Sequence, residues 1–124
     1  MTINGAGILI VDDAVFMRRM LRDIFEGAGL SVVGDAENGL QAVEKYQELR
    51  PALVTMDIVM PEMNGIEATK EILKVDEDAS IVVVSAIGQE SMIVEALELG
   101  AADYVVKPFR STDVLAAARK AMGS

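Results

Sequence analysis

Three carboxylates, a hydroxyl and an ammonium stand at the ends of short apolar runs in this chain. Ile8-Leu9-Ile10-Val11 runs into Asp12-Asp13, Val54-Thr55-Met56 into Asp57, Ile81-Val82-Val83-Val84 into Ser85, and Tyr104-Val105-Val106 into Lys107. Carboxylates roughly 4–6 Å apart repel by about 3–4 kcal/mol per pair at an effective dielectric near 20. Left alone, one or more takes up a proton. A hard divalent cation relieves the repulsion, and oxygen ligands without His or Cys select Mg²⁺, Mn²⁺ or Ca²⁺. Mg²⁺ is favoured, because it takes one or two carboxylates and keeps waters that a phosphate can displace. A helix N-cap is the competing reading of Asp13, since a helical pattern follows it. That reading leaves the second acid and Asp57 without a role.

Lys107, at the end of its run, can bridge to a carboxylate or hold a phosphoryl oxygen as a point charge. A plain Lys–Asp ion pair is the simpler reading, and the two roles can alternate. Pro108 fixes the turn after it and suits a cis bond. Ser85-Ala86 offers a hydroxyl and a backbone N–H, both able to donate to an oxyanion. Alone, Ser85 reads as a helix or turn cap; beside three acids and a lysine the donor role is the better one.

Charged ends meet only if the runs are parallel strands of one sheet. Five runs, about 7–11, 31–35, 52–56, 80–85 and 102–106, are continuously apolar, which suits strands covered on both faces. Helical patterns alternate with them. Ala14 to Ala28 carries Met17, Met20, Leu21, Ile24 and Phe25 on one stripe before Gly27 and Gly29. Leu40 to Glu48 spaces Leu40, Val43 and Tyr46, and Asn64 to Leu73 spaces Ile66, Thr69, Ile72 and Leu73. Glu90 to Leu99 uses Ile93, Ala96 and Leu97, and Thr112 to Met122 uses Val114, Leu115 and Ala118. Strict alternation predicts a doubly wound α/β sandwich, with ligands at the carboxyl edge of the sheet. Only the second run, ending at Gly34-Asp35, stands away from that crevice, as an outer strand does. Residues 1–124 read as one domain, with no linker, repeat or output domain.

Composition narrows the function classes. An apolar share of 52% with 4% aromatics predicts a core of Val, Ile, Leu, Ala and Met, and the eight Met read as packing. Net charge −9 argues against a nucleic-acid partner, since phosphate contacts need clustered Lys and Arg. With no His and no Cys, disulfides, thiolate metal sites and the usual neutral-pH base are excluded. The apolar runs fall short of the ~20 residues a membrane span needs. Met1 to Gly7 lacks the marks of a signal peptide, so a cytoplasmic protein is expected. A flavin carrier would need a Ser/Thr/Gly-rich phosphate loop after the first strand, where this chain has Asp12-Asp13. No glycine-rich lysine loop supports a nucleotidase.

Asp12-Asp13, Asp57 followed by Met60-Pro61 and Gly65, Ser85-Ala86, and Lys107-Pro108 together resemble the receiver domains of two-component response regulators. The resemblance spans the chain in order and spacing. Val11-Asp12-Asp13-Ala14, Thr55-Met56-Asp57-Ile58 and Met60-Pro61-Glu62-Met63-Asn64-Gly65 bring it nearest the stand-alone chemotaxis members.

The resemblance implies a flavodoxin-like five-stranded parallel sheet in the order 2-1-3-4-5 with five helices. It implies that Asp57 accepts a phosphoryl group from the phosphohistidine of a sensor histidine kinase. Asp13, Asp57 and the carbonyl of Val59 would ligate Mg²⁺, with Asp12 acting through water and Mn²⁺ as a substitute. Ser85, the Ala86 N–H and Lys107 would hold the phosphoryl oxygens. Tyr104, otherwise an ordinary strand tyrosine, would be a rotating switch that reshapes the face of the fourth helix, fifth strand and fifth helix. Implied partners are the kinase, a flagellar motor switch protein or other target, and a phosphatase; a monomer is expected. Self-phosphotransfer and autodephosphorylation would be its only chemistry. A phosphorelay intermediate or a developmental regulator would share this site. A Mg²⁺-dependent phosphatase working through an aspartyl-phosphate is the alternative of another class, without its usual cap domain here. Val59 and Ile87 depart from polar family versions, and both are expected to slow loss of the phosphoryl group.

Overall fold

The computed structural model describes residues 7–123, so the reading of Met1 to Ala6 lies outside the described residues. Among the described residues, ten elements alternate, strand then helix. They are β1 (Ile8–Val11), α1 (Val15–Gly27), β2 (Val32–Ala36), α2 (Gly39–Leu49), β3 (Leu53–Asp57), α3 (Gly65–Val75), β4 (Ile81–Ser85), α4 (Glu90–Leu99), β5 (Asp103–Val106) and α5 (Ser111–Ala121). All pairings are parallel, in the order β2-β1-β3-β4-β5. This is the expected flavodoxin-like sheet.

Alternation along each strand divides the core in two. Leu9, Val11, Val54, Met56, Ile81 and Val83 pack with Ala42 and Tyr46 of α2, Ile66 and Ile72 of α3, and Ile93 and Ala96 of α4. Ile8, Ile10, Leu53, Val82 and Val105 pack on the other face with Leu21 and Phe25 of α1 and Val114, Ala117 and Ala118 of α5. Burial on both faces is why these strands read as unbroken apolar runs.

Local chemistry sets the helix ends. Asn38 caps α2 by accepting from the Gln41 N–H. Asn64 and Glu67 form a reciprocal capping box at α3. Helix α2 ends at Arg50, whose φ of 45° is left-handed. That turn sets the Arg50 guanidinium over the Tyr46 ring, 5.8 Å from its centre, and 3.6 Å from Asp76. The Tyr46 hydroxyl donates to Asp76 at 2.8 Å, fastening α2 to the end of α3. Burial, then the bond to Asp76, push the Tyr46 phenol well above its ordinary value.

Three expectations need correction. Leu40 is 49% exposed, because it lies in the first turn of α2, which meets the Met63 loop through the neighbouring Gly39 instead. Leu97 is also exposed, although it lies one turn after buried Ile93 on the same side of α4. The second strand runs on to Ala36, which is buried against Val11 in the register.

Candidate functional site

Register brings the acids together. Val11 lies opposite Met56, so one step further sets Asp12 beside Asp57. Strand alternation carries Asp12 (after Ile8 and Ile10), Asp57 (after Leu53 and Thr55) and Lys107 (after Val105) to the sheet face covered by α1 and α5. Asp13 follows in the β1–α1 turn and is exposed. One carboxylate oxygen from each of Asp12, Asp13 and Asp57 lies within 4.8 Å of the others.

Asp12 is pinned at every polar atom. Its N–H donates to the Ala36 carbonyl at 3.0 Å, and its own carbonyl accepts from Arg18 at 2.6 Å. One carboxylate oxygen accepts from the Ala14 N–H at 2.9 Å, and the other from Lys107 at 3.2 Å. Arg18 also lies 3.5 Å from Asp35 at the end of β2. The outer strand thus reaches the site through Arg18, a residue the sequence reading passed over. Its link spans six residues and a strand pairing, so neither a motif nor a periodicity announces it. Asp13 is not the N-cap of α1: Ala14 holds that position, without a side-chain bond to the helix.

Asp57 is only 7% exposed. One of its oxygens accepts from the Ile58 N–H at 3.0 Å and from Lys107 at 3.4 Å. Burial first, then the Asp12 charge, push its carboxyl up from 3.8 to about 6, against the pull of Lys107. Burial alone would lower the Lys107 ammonium; the Asp57 and Asp12 charges outweigh it and hold the ammonium above its ordinary value. Three carboxylates against one ammonium leave an excess of two negative charges. The donors are all oxygen and the residual charge matches a divalent cation, so the site fits Mg²⁺.

Ser85 sits on the strand beside Asp57 and pairs with Val106, while its carbonyl accepts from the Lys107 N–H at 2.8 Å. Its hydroxyl is buried and has no hydrogen-bond partner among the described residues. By alternation with Ile81 and Val83 it leaves the sheet toward α3 and α4. The Ala86 N–H donates to the Gln89 side-chain oxygen at 2.8 Å. Tyr104 is 45% exposed, on the strand face it shares with Val106. Val59 and Ile87, 57% and 76% exposed, occupy the β3–α3 and β4–α4 loops. The Lys107–Pro108 bond is cis.

The structure therefore gathers Asp12, Asp13, Asp57 and Lys107 into one cluster. It sets Ser85, Ala86, Val59 and Ile87 on the adjoining loop ends, and Tyr104 one strand away. Among the described residues, no helix is long and apolar enough to cross a membrane.

Comparison with known proteins agrees with this geometry. A family model described as the response regulator receiver domain matches residues 8–119. The chemotaxis protein CheY of Thermotoga maritima is 58% identical over 116 residues, covering 94% of this chain and 97% of the relative. That of Bacillus subtilis is 56% identical, covering 93% and 96%. Among solved structures, CheY in the CheX–CheY–BeF3–Mg complex of Borrelia burgdorferi superposes with a TM-score of 0.90 at 34% identity. That match covers 95% of this chain and 90% of the other.

Proposed function

The chain belongs to the response regulator receiver family, and we propose that Asp57 is its phosphoacceptor, charged by the phosphohistidine of a chemotaxis-type histidine kinase in the cytoplasm. The observation that carries this is the Lys107 ammonium held 3.2 Å from Asp12 and 3.4 Å from Asp57 at the mouth of a buried acidic cluster. In the transfer an Asp57 carboxylate oxygen forms the O–P bond as the P–N bond breaks, and the electron pair leaves on the imidazole nitrogen. Phosphoryl transfer needs positioning and charge neutralisation more than covalent help. Lys107 turns from the carboxylates to a phosphoryl oxygen, and the Ser85 hydroxyl and Ala86 N–H donate to the others. Asp13, Asp57 and the Val59 carbonyl would hold Mg²⁺, with Asp12 acting through water and Mn²⁺ substituting. When bound, the ion neutralises charge on the transferring group. Water later attacks phosphorus, the O–P bond breaks, and Asp57 and inorganic phosphate are released.

The unpartnered Ser85 hydroxyl and the outward Tyr104, both on the α4 side of the sheet, fit a resting switch. When Ser85 turns to the phosphoryl group it vacates space, and Tyr104 swings inward. That alters the face of α4, β5 and α5, where the flagellar motor switch protein docks. A further partner acting on the phosphorylated state is in keeping with the CheX complex of the Borrelia relative.

Incubation with Mg²⁺ and a small acyl phosphate, read by intact mass, tests the reading. One phosphoryl group should be gained by the wild type and none by Asp57→Asn. A folded wild type that gains nothing would reject the assignment.

Val59 and Ile87 present alkyl groups where a polar side chain would hold the attacking water. Val59→Asn is expected to speed phosphate release by about tenfold, equivalent to roughly 1.4 kcal/mol of barrier. Release from the phosphorylated protein, followed over time, is the measure, and an unchanged rate would remove Val59 from the timing role.

A further inference from the structure

The loop between β4 and α4 is closed by its own side chains. Gln89 immediately precedes α4, and its backbone carbonyl accepts from the Met92 and Ile93 N–H groups to start the helix. Its side chain makes no bond to the helix amides. The Gln89 amide oxygen turns back and accepts from the Ala86 N–H at 2.8 Å. Behind it Gly88, at a φ of +95°, makes the reversal, and its N–H donates to Glu90 at 3.3 Å. Of the two oxyanion donors at the end of β4, the Ser85 hydroxyl is therefore unused, and the Ala86 N–H is occupied by a neutral oxygen.

We propose that the Gln89 side-chain amide is a placeholder for a phosphoryl oxygen at the Ala86 N–H, displaced when the Asp57 site is charged. The inference rests on the phosphoacceptor reading above. One N–H donates to one oxygen at full strength, so the two acceptors compete. A phosphoryl oxygen carries charge, and charge-assisted bonds are roughly twice as strong as neutral ones. The exchange therefore runs toward the phosphoryl group, while the bond that must first break lowers its apparent affinity. Gln89 is also the first residue to give α4 its hydrogen bonds. Its release frees a side chain at the helix start, so occupancy of the acidic site is felt at α4 without any contact between α4 and Asp57.

Gln89→Met keeps the length and bulk of the side chain and removes the acceptor; Gln89→Asn keeps the amide but shortens its reach. Both are expected to bind BeF3⁻ with Mg²⁺ roughly two- to tenfold more tightly than the wild type, the range set by one neutral hydrogen bond. Amide exchange at Ala86 supplies the second readout. Without BeF3⁻ it should quicken in both variants, and with BeF3⁻ and Mg²⁺ it should be equally slow in all three proteins. Unchanged affinity together with unchanged Ala86 exchange overturns the placeholder while leaving the phosphoacceptor intact. A wild type that binds no BeF3⁻ overturns the phosphoacceptor reading and the placeholder with it.

Discussion

Asp57→Asn is expected to stabilise the metal-free protein by about 3 kcal/mol near neutral pH, with the gain fading in acid. The carboxyl is pushed from 3.8 to about 6 in the folded state, first by burial and then by the Asp12 charge. A carboxyl raised on folding binds its proton more tightly in the folded than in the unfolded chain. It thus favours the fold while protonated, below the unfolded value, and that benefit is lost as pH rises through about 6. At neutral pH the wild type keeps an ionised, buried Asp57 beside a second carboxylate, and two pKa units correspond to about 3 kcal/mol. An amide carries no charge there and can still accept from Ile58 and Lys107. Urea denaturation of both proteins in a chelator, from about pH 4 to about pH 8, should show the curves separating as pH rises. Excess Mg²⁺ should narrow the gap, since ion bound to the native wild type stabilises it by mass action. A gain that is the same at every pH would show that packing, not charge, sets the difference.

This cost explains why the site stands out in the sequence. An acid at the end of an unbroken apolar run is a poor choice for stability, so several at one predicted sheet edge point to chemistry. The fold was legible for a related reason: strands buried on both faces must be apolar throughout, and helices between them keep their own period. Parallel pairing then follows from the β-α-β repeat, and the register, with Val11 opposite Met56, sets Asp12 beside Asp57.

What remained hidden depends on contacts that no period records. The spacing of Leu40 and Leu97 suits a buried stripe, yet a stripe is buried only where a neighbouring element covers it, and both side chains are left exposed. Arg18 looked like one charge among several on α1 until the β1–β2 pairing put the Ala36 end of β2 beside Asp12. Gln89 carried no motif, and its bond to Ala86 exists only because Gly88 reverses the chain. Ser85 was rightly placed at the edge, but strand alternation sends its side chain to the face of Tyr104 and not to that of Lys107.

Gly65→Ala is expected to be the most damaging single methyl group at the site. A β-carbon there would lie 2.0 Å from the Asp57 carbonyl oxygen and 2.9 Å from the Ile58 α-carbon, both backbone atoms that no rotamer can move. The Gly65 N–H meanwhile donates to the Ile58 carbonyl at 2.7 Å, so the start of α3 and the end of β3 are held at this close approach. Relieving the clash means moving one against the other, at about 2–4 kcal/mol for an overpacked, well-ordered contact. The same movement displaces Asp57, Ile58 and Val59, so Mg²⁺ affinity should fall by about tenfold or more, roughly 1.4 kcal/mol per tenfold. Gly27→Ala is the matched control. Its added β-carbon meets nothing within 4 Å at the last residue of α1, and the change should be neutral or gain up to about 1 kcal/mol from helix propensity. Urea denaturation and Mg²⁺ titration of the two variants separate the cases. If Gly65→Ala loses stability and keeps its affinity for Mg²⁺, the loop can yield without moving the acids, and Gly65 serves the packing of α3 alone.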